Sequence, residues 1–114
     1  MDAPPRDQPQ ADAAPATPET ELRALRVDAG RYLLALCKLN TQRLELEDEA
    51  AASPPSRRGM LLDEARSLAE LQRQWAAALA RIEHCIDALI RDMRARARAE
   101  AVAALEQAQM GPRR

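Results

Sequence analysis

The sequence predicts an all-α protein: an antiparallel two-helix hairpin or coiled coil behind a Pro-rich tail. Three observations predict it. Ala, Leu, Arg, Glu and Gln dominate the 114 residues, Phe is absent, and Gly occurs only at 30, 59 and 111, so strong helix formers fill almost the whole chain. Prolines cluster at the start and in the pair Pro54-Pro55, which leaves two long uninterrupted stretches between them. In the second stretch Leu61, Leu68, Trp75, Ile82 and Leu89 recur every seven residues, the repeat of a helix–helix seam. With only Tyr32 and Trp75 as aromatics, the core must be built mainly from Leu, Ile and Ala.

The first segment, residues 1–17, is acidic and rich in Pro and Ala. Pro4, Pro5, Pro9 and Pro15 interrupt any helix and almost nothing is available to bury, so a disordered tail is expected there. Helix 1 is expected over about 18–52. Thr17 can cap it, Pro18 suits its first position, and Glu19 and Glu21 favour the positive end of the helix dipole. Its core stripe is read as Leu22, Leu25, Ala29, Leu33, Leu36 and Leu44, with Asn40 on the same line. Leu34, Leu39 and Leu46 lie off that line and are expected to make a second contact, with a partner or another copy.

Ser53-Pro54-Pro55-Ser56 should turn the chain, with a serine capping the next helix; the turn is placed at about 53–58 and helix 2 at about 59–110, before a short tail at 111–114. In helix 2 the seven-residue series is accompanied by Leu71, Ala78 and Cys85 three positions on, and widened by Leu79, Ile86 and Met93 four positions on. That width suits a bundle, completed by self-association or by a partner. A turn near residues 55–56 pairs positions whose numbers add to about 111, so Leu36 is expected level with Trp75, Leu22 with Leu89 and Asn40 with Leu71. Helix 1 is then exhausted near residue 93 of helix 2. About fifteen further residues should project beyond it by roughly 20–25 Å.

Charge is distributed unevenly. Residues 91–114 hold six Arg against three acids, although the whole chain is near neutral at −1. Arg91, Arg94 and Arg98 share a face, with Arg96 beside them, while Met93, Val102 and Leu105 supply apolar surface for docking. The projecting segment lacks aromatics for base stacking and bulky groups for membrane anchoring, and Asp92, Glu100 and Glu106 dilute its charge, which argues against nucleic acid or membrane as its target.

Nothing points to catalysis or a cofactor. The acidic run Glu45, Glu47, Asp48, Glu49 reads as a solvated face, three scattered glycines build no phosphate loop, and one His with two Cys falls short of a metal site. Cys37 and Cys85 lie too far apart in the expected register for a disulfide and are read as small seam residues. Asn40 and Trp75 are expected to set register, since a seam amide is tolerated only where it is paired. The acidic start lacks a signal-peptide stretch, and the longest apolar run, Trp75 to Ala80, is too short to span a bilayer, so cytoplasm or nucleus is the expected location. The expected role is therefore a non-enzymatic interaction subunit, an adaptor or scaffold component. The alternatives are a small chaperone that shields a client helix and a binder of anionic surfaces.

Overall fold

In the computed structural model, which describes residues 17–111, the chain forms two helices packed side by side into a rod 93 Å long: α1 (Pro18–Ala51) and α2 (Pro55–Met110). The expected hairpin is the observed fold. Of the segments expected to be tails, 1–17 and 111–114, residues 1–16 and 112–114 lie outside the described residues.

The start of α1 is fixed as its sequence suggests. Thr17 is the N-cap, and its hydroxyl accepts from the Thr20 backbone N–H at 3.2 Å while the Thr20 hydroxyl accepts from the Thr17 N–H at 2.8 Å. Two otherwise orphaned donors of the first turn are thereby satisfied. The far end of α2 stops at Gly111, whose φ of +30° favours a residue without Cβ.

The turn is tighter than the sequence suggests, spanning only Ala52, Ser53 and Pro54, and α2 begins at Pro55, about four residues earlier than expected. Pro54 is the N-cap and offers no side-chain bond, so neither Ser53 nor Ser56 caps α2. The Ser53 hydroxyl instead donates back to the Glu49 carbonyl at 2.7 Å. Two arginines of α2 then close the end of α1. Arg58 Nε donates to the Ala50 carbonyl at 3.1 Å and its Nη2 to the Ser53 carbonyl at 2.9 Å, while Arg57 pairs with Glu49 at 2.8 Å. These cations meet the negative end of the α1 dipole, which has no basic residue of its own in its last turn.

The core is one thin strip. On α1 the inward positions are Leu22, Leu25, Ala29, Tyr32, Leu36, Leu39, Arg43, Leu46 and Ala50, an unbroken alternation of three- and four-residue steps. On α2 the matching series is Leu61, Ala65, Leu68, Gln72, Trp75, Leu79, Ile82, Ile86 and Leu89, extended by Met93. Paired end to end, the two series have numbers adding to 111 throughout, from Ala50 with Leu61 to Leu22 with Leu89. The first turn of α2 is used in crossing over the end of α1, which is why a tighter turn still leaves the expected sum.

This strip corrects several expectations. Leu39 and Leu46, expected to face outward, belong to it: Leu39 is only 7% exposed, and Leu46 is half-buried. Leu33 and Leu44 take the opposite course and are 51% and 45% exposed. Both cysteines are exposed and unlinked, so neither fills the seam. In α2 the series four residues after the heptad positions, Ala65, Gln72 and Leu79, faces inward in place of the expected Cys85 line, although Ala78 is also buried at its edge.

Leu39→Ala removes packing from the middle of the strip and is expected to cost about 2–3 kcal/mol, whereas Leu105→Ala on the exposed end of α2 should stay within about 0.5 kcal/mol. Urea unfolding followed by circular dichroism reads both. Equal costs would refute the assignment of faces.

Candidate docking surfaces

Two polar residues occupy the seam itself, and they explain how the register is held. Arg43 extends across the interface and each nitrogen of its guanidinium donates one bond: Nε to Gln72 Oε1 at 2.9 Å, Nη1 to Glu47 Oε2 at 2.8 Å and Nη2 to Asn40 Oδ1 at 2.8 Å. Gln72 Nε2 closes the cluster with a long bond of 3.5 Å to the same Asn40 oxygen. Asn40 and Glu47 lie on the same helix as Arg43 and fix its direction, so of the three bonds the one to Gln72 crosses the seam and penalises sliding, unlike leucines packed on leucines. Asn40 therefore contributes to register through Arg43 and Gln72, in place of the expected alignment with Leu71. Trp75 is half-buried in the seam and meets Tyr32 edge to face with ring centroids 6.4 Å apart. These contacts lie on either side of the 111 register and brace it at two levels.

The side of α1 turned away from α2 carries a second strip that the sequence reading missed. Val27, Gly30, Leu34, Cys37, Thr41 and Leu44 again follow alternating three- and four-residue steps, and all six are exposed, Val27 at 50% and Leu34 at 59%. The signal was available as two interleaved heptads in one helix. Arg23 and Asp48 continue the same steps at either end, and neither makes an ion pair with another described residue. Of the outward leucines expected on α1, Leu34 alone stands on this strip.

Beside Leu34, an open cleft of about 390 Å³ runs between the helices, with Leu34, Ala35, Leu39 and Trp75 forming its apolar wall and Arg31 and Lys38 its rim. It is a groove between two rods, with no acid–base pair or nucleophile converging on it. Elsewhere, Arg73 donates a short hydrogen bond to Glu70 and holds its exposed carboxyl below the usual carboxylate range. Among the described residues no group of three or more His, Cys, Asp or Glu is placed to hold a metal ion.

The third surface is the extension of α2. Met93 is half-buried at the end of the seam, and every residue from 94 to 110 is exposed although the helix continues unbroken to Met110. Seventeen residues project by about 25 Å. Val102 and Leu105 are 54% and 60% exposed, and they lie away from the seam side of the helix, which past Met93 is continued in the same three- and four-residue steps by Arg96, Glu100, Ala103 and Gln107. Arg91, Arg94, Arg96 and Arg98 are all exposed, and none pairs with an acid among the described residues. No helix among those residues is long and apolar enough to cross a membrane. Comparison with protein families, curated proteins and solved structures returned no match.

Replacing the seam polar pair by Arg43→Leu together with Gln72→Leu should raise stability by about 1–2 kcal/mol, because apolar side chains take over a partly desolvated polar contact. Register should loosen at the same time. Thermal unfolding measures the first effect, and cross-linking between cysteines introduced one heptad out of register measures the second; a more stable protein that still cross-links only in register would remove the register role.

Proposed function

We propose that this protein is a non-enzymatic helical interaction subunit, an adaptor or scaffold component that docks partner helices through surfaces its own hairpin leaves uncovered. The observation that carries this reading is the α2 extension. Seventeen consecutive helical residues, 94–110, are exposed, and they bear Val102, Leu105 and Met110 on their surface. An amphipathic helix laid into a groove of another helical protein is a common mode of recognition and uses anchors of this type. The partner is a helical protein. The proposed place of action is the cytoplasm or nucleus.

A second reading is favoured by one specific feature: four arginines of the same segment have no ion-pair partner among the described residues, which suits contact with an anionic surface. The two readings separate by salt. A helix-docking contact held by Val102 and Leu105 should survive moderate salt, whereas phosphate contacts weaken steeply.

The test is a chain ending at Met93, which keeps the complete seam. Affinity purification from native cells should recover a partner with the full chain and lose it with the shortened one, while circular dichroism confirms that the hairpin remains helical. Recovery of the same partners by the shortened chain would refute the extension as the docking element.

A further inference from the structure

We propose that the outer strip of α1 is covered by the same strip of a second copy of this chain, the two α1 helices running antiparallel about a two-fold axis between residues 35 and 36. This rests on the reading of the protein as an interaction subunit and names the partner of one of its surfaces. In a symmetric antiparallel pair, facing positions have numbers with one constant sum. For this strip the sum is 71, and each facing pair it produces is compatible. Arg23 meets Asp48 of the second copy, Val27 meets Leu44, Gly30 meets Thr41, and Leu34 meets Cys37. The apolar stretch is thus closed at both ends by an ion pair between residues that make none with another described residue of their own chain.

Charge along α1 points the same way. Between residues 23 and 38 the helix carries Arg23, Arg26, Arg31 and Lys38 against Asp28 alone, and between 43 and 49 it carries Glu45, Glu47, Asp48 and Glu49 against Arg43 alone. An antiparallel copy lays the basic half on the acidic half. A parallel copy would set Arg23 against Arg23 and Asp48 against Asp48, a juxtaposition that disfavours it. The one like-charged approach in the antiparallel pair, Arg31 beside Lys38 of the second copy, lies at the rim where both heads reach water.

Gly30 supplies an independent observation. In a helix interior glycine costs roughly 1 kcal/mol relative to Ala. Within one chain nothing stands within 4 Å of the place a Cβ would occupy, so the hairpin itself has no use for it. On the outer strip it removes side-chain bulk where a facing helix would approach. The monomer also has reason to seek cover: among the described residues no large side chain is fully buried, while Val27, Leu33, Leu34 and Leu44 remain open on this side of α1.

Sedimentation equilibrium of the full chain should give twice the 12.6 kDa of one copy at micromolar concentration. Arg23→Asp should raise the dimer dissociation constant at least about tenfold, since it creates an acid–acid contact at both ends of the strip. Asp48→Arg should do the same, and the double variant Arg23→Asp with Asp48→Arg should return towards the native constant. Helicity should not change, because both residues are exposed and unpaired in the hairpin. A monomer at all concentrations, or an oligomer whose constant the charge swap fails to rescue, would overturn the proposal. The chain ending at Met93 should still dimerise, so this failure and a failure of the α2 extension are distinguishable.

Discussion

One strip of contact between two helices carries the whole structure. Among the described residues there is no third layer, so each feature takes its position from how α1 and α2 are aligned: where the turn sits, which leucines are hidden, and where the longer helix runs past the shorter one. The strip is made of interchangeable parts, mostly Leu, Ile and Ala, and such a surface can slip by a heptad at small cost. Arg43, oriented by Asn40 and Glu47 of its own helix, reaches across to Gln72, and that cross-seam bond is lost if the helices slip. Arg57 and Arg58 add a second anchor at the turn by binding the exposed end of α1. Alignment is thus set by polar groups in a seam whose cohesion is apolar.

Much of this arrangement was legible from residues alone, and the errors have a common cause. Thr17, Pro18, the proline pair and Gly111 mark helix ends through local backbone chemistry, which does not depend on the rest of the fold. The seven-residue series of α2 was clear because its members are large. In α1 the inward strip includes Tyr32, Arg43 and two alanines, while the outward strip includes Leu34 and Leu44 and is flanked by Leu33. Counting leucines therefore favours a line drawn across both faces. Hydropathy can say that a helix has two apolar sides; it cannot say which of them meets the covalently linked neighbour. The seam positions of Arg43 and Gln72 escaped for the same reason, since a long polar side chain can lay its stem in a seam while its head finds partners at the edge.

The three uncovered regions differ in construction. The outer strip of α1 is straight, apolar at its centre and charged at its ends, a layout suited to another straight helix. The cleft beside Trp75 is bounded by two cations and an apolar wall. The extension of α2 is rich in Ala and Arg with a few larger apolar groups set away from the line of the seam. Such differences would allow several contacts to be made at once without competition, as the proposed adaptor role requires.

The continuity of α2 has a consequence for the thermodynamics of whatever its end meets. An isolated peptide of seventeen residues in water would be a marginal helix, because forming the first turn is unfavourable. In this chain the first turns are already formed and packed upstream, so the projecting residues need only propagate. They present a ready-made shape, and the entropy of ordering the segment is largely settled when the hairpin folds. The last turn before Gly111 has no such support and frays first, which grades the extension from rigid at its root to adaptable at its tip.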